Sequence, residues 1–378
     1  MIIKSISIIF LKIKNYNSIY PRPTFYNNGI VFLKLICDEN YEGLGEVSPY
    51  AGSPKNIIKN CENIYKRYFK YKKVDLNYVF NLKENSSSNI FQSLLPSFDQ
   101  AIYDLYAKRK KNSVAGILNS NPLKYVKSYA SGGMIFENQS YAKLLDEAQY
   151  AKERGFFGYK FRPKMPINNL SHFQRIKNPP QVDVKELEKF SHNLKKKIGD
   201  NFKIMVDLGC RLKKSKEIKY LFAMFKEHNY FFVEEPFKRK PSEYEKQKKF
   251  FLGVNVAGGE HLHSLKEFKK WTKNKILSFY QPDTNLLLYK EINQMIKHVG
   301  TNKIILHNWC SKINFLSNIN FAYSLKKNIL IEKNMFKNPF DNFFMHKSLK
   351  IKKGKIVYPK THGFGLSLKK KIDNKYIV

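Results

Sequence analysis

The chain has 378 residues, and 68 Lys plus Arg against 31 Asp plus Glu give it a formal net charge of +37. Hydrophobic residues make up 43% and aromatic residues 15%, which is enough for a sizeable core and excludes wholesale disorder. No segment reaches the roughly 18 uninterrupted apolar residues of a membrane-spanning helix. At about 150 residues per domain, the length predicts two domains or one large barrel with an extra module.

The positive charge raises the question of binding to nucleic acids or membrane surfaces. Only eight of the basic residues are Arg, whereas phosphate-binding proteins favour Arg for its bidentate guanidinium group. Lys is abundant together with Asn, Ile, Phe and Tyr, which is typical of an AT-rich genome. We therefore predict no nucleic-acid partner and no membrane partner, although the positive field can attract small anions.

The cysteine pattern carries no sign of a metal or disulfide framework. The four cysteines lie far apart and form no CxxC pair; they are Cys37, Cys61, Cys210 and Cys310. We expect ordinary reduced thiols. With no membrane segment, a cytoplasmic location is the default expectation.

Residues 1–125 are predicted to form an α+β domain. The apolar runs SISIIFL and GIVFLKLIC read as strands, and the segment 20–29 between them has the Pro and Asn content of a loop. Helix-like stretches follow at 54–71 and 95–118. This combination is typical of a modest α+β unit.

From about residue 126 one motif recurs, a short apolar run followed by a helix-like stretch. The eight runs are KSYASGG, FFGYKFR, FKIMVDLG, YFFVEEP, VNVAGGE, LSFYQPD, KIILHN and NILIEK. Eight such units predict a parallel (β/α)8-type barrel over 126–345. Residues 346–378 are too few for a domain, so we expect this segment to pack back on the N-terminal one.

Ionisable residues end these strands with unusual regularity. The strand-end residues are Lys160 and Arg162, Asp207, Glu234 or Glu235, Glu260, Asp283, His307 and Glu332. From Asp207 onward the spacings are 27, 26, 23, 24 and 25 residues, which is one βα unit each. Chemistry in such barrels is placed at the C-terminal ends of the strands, so the pattern predicts a single active site.

Three carboxylates on consecutive strands, Asp207, Glu234 and Glu260, predict an all-oxygen site of the kind that Mg²⁺ prefers. Singly, each could equally be a salt-bridge partner for one of the many lysines. Asp283 and His307 are placed to form a dyad in which the carboxylate accepts a hydrogen bond from one imidazole nitrogen and leaves the other as a base.

Lys160 and Arg162 stand two apart on one strand, so both side chains point to the same face and can hold a substrate carboxylate. The alternative is a solvated pair in a lysine-rich protein. Glu332 can donate a hydrogen bond to the substrate carboxylate if the enclosed site raises its pKa.

These residues, in this order, resemble the enolase superfamily, and the aspartate and histidine pair on strands six and seven resembles its mandelate racemase subgroup. The resemblance also rests on GLGEVSPY, DQAIYDLYAKRKK, VDLG, VEEP, GGEH, QPD and GKIVYP with GFG. It implies an N-terminal α+β capping domain over a modified (β/α)7β barrel, with the C-terminal tail returning to the cap. It also implies a homo-oligomer, a dimer or an octamer.

The resemblance further implies that a base removes the proton α to a carboxylate while Mg²⁺ and nearby cations stabilise the enediolate, as in other enolase-superfamily sites. By position, Asp207, Glu234 and Glu260 are similar to the metal ligands, with Glu234 preferred over Glu235 as the first acidic residue before the proline. Lys160 resembles the first Lys of the family's KxK pair, and Glu332 resembles its carboxylate-binding acid.

Two departures from the family pattern matter. Arg162 replaces the second Lys of the two-base racemases, and Arg is a poor proton acceptor because its pKa lies above about 12. Gly209 stands where many relatives carry Asn, which removes a possible substrate contact.

The resulting hypothesis is an Mg²⁺-dependent sugar-acid dehydratase that converts an aldonate or aldarate to its 2-keto-3-deoxy product. A racemase or epimerase, a cycloisomerase, and a basic binding protein on a catalytically inactive barrel are the alternatives. Substrate choice is expected from the loops at 20–28 and 48–54 and the insertion at 163–183. Candidate substrate-binding residues are Arg22, Tyr50 and His261.

Overall fold

The computed structural model describes residues 1–12, 29–86, 88–133, 140–164, 180–336, 338–346 and 349–369. The first part of the described chain is an antiparallel sheet with helices against it, and the second part is a parallel barrel. The cap strands are β1 (Ile3–Leu11), β2 (Ile30–Cys37) and β3 (Glu42–Glu46), which pair in that order. The cap helices are α1 (Pro54–Ile64), α2 (Tyr78–Glu84), α3 (Asn89–Arg109) and α4 (Val114–Leu118).

Strand β3 lies unusually close to helix α3. A Cβ atom at Gly43 would overlap the carbonyl oxygen of Ala101, and one at Gly45 would overlap that of Ser97. Only glycine permits backbone contact at this distance. The two glycines of GLGEVSPY therefore set the position of Glu46, the residue that follows them at the end of β3.

The predicted helix over 95–118 is two helices in the structure. α3 ends at Arg109, Lys111 adopts a left-handed φ of 50°, and Ser113 begins α4 by accepting a hydrogen bond from the backbone of Gly116. The left-handed residue and the serine cap break the apolar periodicity that the sequence carries across both helices. The predicted helix over 54–71 is α1 with a π-helical turn at Tyr65–Phe69.

The parallel barrel predicted from the repeats is confirmed. Its strands are β4 (Tyr125–Ser131), β5 (Gly158–Phe161), β6 (Lys203–Asp207), β7 (Phe232–Glu234), β8 (Val256–Gly258), β9 (Phe279–Tyr280), β10 (Ile305–Leu306) and β11 (Leu330–Asn334). Their spatial order is β10, β11, β4, β5, β6, β7, β8, β9, and a parallel bridge between Tyr280 and Ile304 joins the two ends.

Seven helices of the described chain connect these strands, which gives the (β/α)7β pattern. They are α5 (Ala142–Glu153), α6 (Val184–Ile198), α7 (Ser215–Glu227), α8 (Pro241–Gln247), α9 (Leu265–Thr272), α10 (Tyr289–Val299) and α11 (Lys312–Ser324). α6 is representative: Asp183 caps its first turn, Leu187, Phe190 and Leu194 are buried, and its lysines lie on the other side. Over the ranges that the structure covers, no helix is both long and apolar enough to cross a bilayer.

The barrel interior is packed rather than hollow. One buried layer contains Tyr129, Met205, Phe232, Ala257 and Ile305. Side chains two residues apart on a strand point to the same side of the sheet. The residues two positions beyond this layer therefore also face the barrel axis, one layer closer to the C-terminal mouth.

The described residues of the C-terminal part contain four short strands, β12 (Phe344–His346), β13 (Ile351–Lys352), β14 (Lys355–Val357) and β15 (Leu366–Leu368). β14 pairs antiparallel with the first barrel strand, Ile356 opposite Val126. The amide of Phe364 donates to Asp104 Oδ1 of helix α3 at 2.7 Å. The division into domains at 125 and 345 stays a prediction.

Buried polar contacts join the cap to the barrel. Lys83 Nζ lies 2.7 Å from Glu291 Oε2 and donates to the carbonyl of His263 at 2.9 Å. The amide of Tyr289 donates to Asp99 Oδ2 at 3.1 Å, and Gln100 Nε2 donates to the carbonyl of Thr284 at 2.9 Å. Burying these groups is tolerated because each meets a partner across the boundary.

We predict that Asp99 makes stability fall as the pH rises. Burial raises the pKa of Asp99 to about 7. The charge of Glu291 also raises this pKa, whereas the hydrogen bond from Tyr289 lowers it. Because the unfolded pKa is about 4, its contribution to stability is complete below pH 4 and is lost as the pH rises through 7. Asp99→Asn removes the ionisation, so its stability relative to wild type should increase by about 2–4 kcal/mol between pH 5 and pH 8.

Urea unfolding of both proteins at several pH values measures this difference. Asp146→Asn, at an exposed aspartate, is the control and should leave the pH dependence unchanged. Parallel stability curves for wild type and Asp99→Asn would show that Asp99 does not ionise in this range.

Candidate active site

The strand alternation brings the predicted site residues into one network at the barrel mouth. The buried residues are Lys160, Asp207, Glu234, Glu260, Asp283, His307 and Glu332. Asp207 and Glu234 are direct register partners on neighbouring strands. Each lies two residues beyond a member of the packed layer, Met205 or Phe232. The apolar layer inside the barrel and the polar groups at its mouth are therefore two residues apart along each of these strands, the spacing at which side chains point to the same face.

Lys160 is the central cation of the network. Its Nζ lies 2.8 and 2.7 Å from the two carboxylate oxygens of Glu234 and 2.9 Å from Glu332 Oε1. Burial acts to lower the pKa of Lys160, but the charges of Glu234 and Glu332 outweigh it and raise the pKa. Lys160 is therefore a fixed positive charge, well suited to stabilise negative charge that develops beside it.

Donation of a hydrogen bond by Glu332 would need a raised pKa, and the surroundings of Glu332 shift its pKa in the other direction. Burial acts to raise its pKa, but Lys160 and His307, whose Nε2 lies 4.0 Å from Glu332 Oε2, lower it. The backbone amide of Asn308 also donates to Glu332 at 3.2 Å. Lys160 thus offsets the cost of burying a negative charge on Glu332, which accepts a hydrogen bond in this network.

Arg162 is held between a carboxylate and an aromatic ring. Its Nε lies 2.7 Å from Asp207 Oδ2, and its guanidinium carbon lies 4.2 Å from the centre of the Trp309 ring. Nη1 is buried and has no hydrogen-bond partner within the described chain. Burial acts to lower the pKa of Arg162, but Asp207 and Glu332 outweigh it and raise the pKa further above its already high value. Arg162 cannot serve as a base here.

Glu260 lies on the opposite side of the mouth, among three cationic or ionisable groups. Its Oε1 contacts Arg239 Nη2 at 2.9 Å and His261 Nε2 at 2.8 Å. Its Oε2 lies 3.4 Å from His307 Nε2 and has no hydrogen-bond partner among the residues described. Burial acts to raise the pKa of Glu260, but His261 and His307 lower it well below the usual range.

Asp283 and His307 form the predicted pair. His307 Nδ1 lies 2.8 Å from Asp283 Oδ2, and because a carboxylate only accepts, Nδ1 carries the proton. The other nitrogen, Nε2, points to Glu260. Burial acts to lower the pKa of His307, but Glu260 and the hydrogen bond to Asp283 raise it to about 9.

The two glutamates before Pro236 point in different directions. Glu234 faces Lys160, whereas Glu235 accepts hydrogen bonds from the amide of Gly259 at 2.9 Å and from Arg239 at 3.1 Å. Glu235 also adopts a left-handed φ of 44°, a conformation that is strained for a side chain of this kind. Glu234 therefore faces the barrel mouth and Glu235 does not, while the role of Glu234 as a metal ligand stays a prediction.

The three candidate substrate-binding residues have different outcomes. Tyr50 and His261 meet at the edge of the mouth, with ring centres 4.5 Å apart and planes at 77°. Arg22, the whole 20–28 loop and most of the 163–183 insertion lie outside the described residues. The ends of that insertion are held by Arg211, which donates to the carbonyls of Pro163 and Pro180, each at 2.9 Å.

The Gly209 position is open. Its φ is 54°, its amide donates to Asp207 Oδ1 at 2.9 Å, and a Cβ there would meet no described atom nearer than 4.0 Å. Asn tolerates this left-handed conformation better than most residues. The position therefore has room for a Cβ atom beside Asp207.

Sequence reasoning missed three residues of the network. Gln281 Nε2 donates to Glu234 Oε2 at 2.6 Å, Arg239 bridges Glu235 and Glu260, and Trp309 lies against Arg162. Gln281 could have been found, because it directly follows strand β9 and stands two residues beyond Phe279, whose side chain faces the barrel interior. Nothing in the sequence distinguishes Arg239, which lies beyond its strand in a lysine-rich segment.

The carboxylates were tested as a place for a divalent cation. In the part of the chain that the structure covers, no three His, Cys, Asp or Glu side chains stand as a ready set of metal ligands. Asp207, Glu234 and Glu260 instead contact Arg162, Lys160 and Arg239. Their chemistry nevertheless fits a hard cation, since all donors are carboxylate oxygens and the buried Glu260 Oε2 lacks a hydrogen bond.

Comparison with known proteins places the chain in a family. The family model described as "Enolase C-terminal domain-like" matches residues 143–372, more than half of the sequence. The chain is therefore a member of the enolase superfamily, as the motifs and the barrel indicated.

Within this family the chain is similar to sugar-acid dehydratases. It is 24% identical to the arabinonate dehydratase of Saccharolobus solfataricus, over 74% of this chain and 70% of that protein. It is 23% identical to the D-gluconate/D-galactonate dehydratase of Picrophilus torridus, over 93% and 89%. The L-talarate dehydratase of Polaromonas sp. JS666, solved with Mg and L-glucarate, shares the fold with a TM-score of 0.76 and 19% identity, over 99% and 97%.

Proposed function

We propose that this protein is an Mg²⁺-dependent dehydratase that converts an aldonate or aldarate to a 2-keto-3-deoxy sugar acid. The observation that carries the proposal is the His307 and Asp283 pair, which faces a buried row of carboxylates and cations at the mouth of the barrel. The similarity to dehydratases of arabinonate and of gluconate and galactonate supports the choice of reaction and substrate class.

Asp207, Glu234 and Glu260 would hold the Mg²⁺ ion. When bound, the ion supplies positive charge that stabilises the enediolate and offsets the field of Glu260 on His307. Arg162 and Arg239 contact carboxylate oxygens that a metal ion would also need. The two arginines would therefore compete with the metal for Asp207 and Glu260.

His307 is the proposed base. The hydrogen bond from Nδ1 to Asp283 fixes the tautomer and orients the ring, so that the Nε2 lone pair can take the proton from the carbon α to the substrate carboxylate. The electrons of that C–H bond move into the carboxylate and form a dianionic enediolate.

Lys160 and Arg162 are proposed to bind the substrate carboxylate. Both are buried cations whose charge is fixed, and Arg162 retains a buried Nη1 with no partner in the described structure. Glu332 contacts Lys160 at 2.9 Å and would keep its ammonium group in place. Preformed charge in a water-poor site needs no reorganisation as the enediolate forms.

Loss of water completes the reaction. The enediolate electrons form a double bond between the α and β carbons as the C–O bond at the β carbon breaks. The leaving hydroxyl takes the proton that His307 Nε2 received, which gives water and returns the neutral imidazole. The resulting enol then becomes the 2-keto acid by proton transfer to the β carbon.

One base is enough for this elimination, whereas racemisation needs a base on each face of the α carbon. The second position is Arg162, whose pKa is raised further by Asp207. The site residues therefore favour dehydration over racemisation or epimerisation. Tyr50 and His261 are proposed to contact the distal part of the substrate, and the oligomeric state stays a prediction.

We predict that His307→Asn abolishes dehydration. A general base contributes about 10²–10⁴-fold, so turnover should fall by at least that factor with folding retained. The measurement is a screen of mono- and diacid sugars with Mg²⁺ and a 2-keto acid readout. His298→Asn, at an exposed histidine on α10, is the control, and comparable turnover by His307→Asn would mean that another group is the base.

Reaction in D₂O separates dehydration from the alternative isomerisations. The expected result is loss of water together with deuterium incorporation at carbon 3 of the product. Exchange of the α proton with inversion and no loss of water would instead identify a racemase or epimerase.

We predict that the metal stabilises wild type through Glu234 and not through Glu235. Both substitutions, Glu234→Gln and Glu235→Gln, remove a buried carboxylate with a cationic partner, so both should lower the melting temperature in EDTA. Saturating Mg²⁺ at about 100 times its Kd stabilises a binding protein by about 2.7 kcal/mol.

This increment should appear in wild type and in Glu235→Gln and be absent in Glu234→Gln. Thermal unfolding with and without Mg²⁺ measures it without any substrate. An equal increment in both variants would place the metal elsewhere.

A further inference from the structure

The Asp283 carboxylate is held on the side away from His307 by three donors. Its Oδ1 accepts hydrogen bonds from the amide of Asn285 at 2.9 Å, from Asn314 Nδ2 at 2.9 Å and from Asn318 Nδ2 at 3.1 Å. Its Oδ2 remains for the imidazole of His307. The side chains of Asn314 and Asn318 thus fix which oxygen of Asp283 faces His307.

Asn318 connects the ends of two neighbouring barrel strands. Besides Asp283, its Nδ2 donates to the carbonyl of His307 at 3.1 Å, and its Oδ1 accepts from the amide of Thr284 at 3.1 Å. Both amide protons and the amide oxygen are used. The Asn318 side chain therefore fixes the position of the His307 backbone relative to the Asp283 carboxylate.

Asn314 connects the same carboxylate to the cap. Its Oδ1 accepts from Gln100 Nε2 at 3.3 Å, and its backbone amide donates to Glu46 Oε2 at 3.1 Å. Glu46 also accepts from the amide of Ser311 at 3.0 Å, and its own amide donates to Gln100 Oε1 at 3.0 Å. A series of hydrogen bonds therefore connects Glu46 at the end of β3, through Asn314 in the first turn of α11, with Asp283 and His307.

Two buried asparagines inside a helix are unfavourable for stability unless their side chains are hydrogen-bonded. Asn has a low helix propensity, and burying its amide group without hydrogen-bond partners costs free energy. Asn314 and Asn318 are fully buried and stand four residues apart, which puts both on one face of α11. That face is the one turned to the ends of β9 and β10.

We propose that Asn314 and Asn318 are positioning residues that hold Asp283, and through it the His307 imidazole, and that Glu46 and Gln100 of the cap fix Asn314. The inference rests on the proposed function of His307 as the base. It adds that the cap, besides enclosing the substrate, sets the geometry of the base through a continuous chain of hydrogen bonds.

The test compares Asn314→Leu and Asn318→Leu with Asn320→Leu. Asn320 lies on the same helix and is also buried, but it contacts Ala115 and Leu316, away from the pair. Misplacement of a catalytic group by about 1 Å costs about 10²-fold, so kcat should fall about 10- to 100-fold in the first two variants. KM should change less than about threefold, and Asn320→Leu should keep kcat within about twofold of wild type.

A double-substitution cycle asks whether Asn314 acts through Asp283. In an Asp283→Asn background, Asn314→Leu should lower kcat by less than about threefold more, because the carboxylate that it holds is gone. Independent, multiplying effects would overturn the proposal, as would equal losses in Asn314→Leu and Asn320→Leu. Asn314→Ser, which shortens the side chain without adding apolar bulk, replaces the leucine variant if that variant does not fold.

A spectroscopic readout separates this inference from the proposed function. The ¹⁵N-coupled Nδ1 proton of His307, assigned by its loss in His307→Asn, should appear in wild type at a fixed pH and be shifted or broadened in Asn314→Leu. It should be unchanged in Asn320→Leu. An unchanged signal in Asn314→Leu refutes the positioning role whatever the activity, whereas a wild type inactive on every sugar acid refutes only the proposed function.

Discussion

Buried charge in need of a partner is the constraint on which this structure depends. Five carboxylates of the described residues lie close together at the barrel mouth, and an unpaired buried ion would cost several kcal/mol. Each therefore has a positive or hydrogen-bonding neighbour; the five are Asp207, Glu234, Glu260, Asp283 and Glu332. Under the proposed function, a divalent cation would take over carboxylates from these cationic partners, and an anionic substrate would take over the cations.

The cap is joined to the barrel by the same kind of contact. Glu46 is buried against the first turn of α11, and burial raises its pKa to about 7 even though Ser311 and Asn314 donate to it. Its anionic form also interacts favourably with the positive end of the helix dipole. Polar burial of this kind specifies one relative placement of cap and barrel more narrowly than apolar packing does, since hydrogen bonds depend on direction.

The overall charge and the charge of the site have different origins. The net charge of +37 comes mainly from lysines, and those of helix α6, for example, lie on the side away from its buried residues. At the mouth the acidic groups are numerous enough to fix the charge of Lys160 and Arg162. A positive exterior can therefore coexist with a buried site whose own electrostatics are set locally, because exposed charges are screened within about 8–10 Å.

The sequence by itself determined the barrel, the capping domain and most of the strand-end residues. Apolar runs recurring at one βα unit dictate parallel strands, and a charged residue at the end of each run must then face one mouth. The pleat also distinguishes Glu234 from Glu235 in principle, since Glu234 stands two residues beyond Phe232.

Only the tertiary structure decided which charges are partners. Arg239 reaches Glu260, Trp309 lies over Arg162, and Asn314 links Asp283 to the cap. The pKa of Glu332 is lowered, although enclosure alone would raise it, because Lys160 lies 2.9 Å away. The periodicity of buried residues is a local property that a sequence records. The sign of a pKa shift instead depends on distances between residues that are far apart in the chain. Those distances are set only when the barrel has closed.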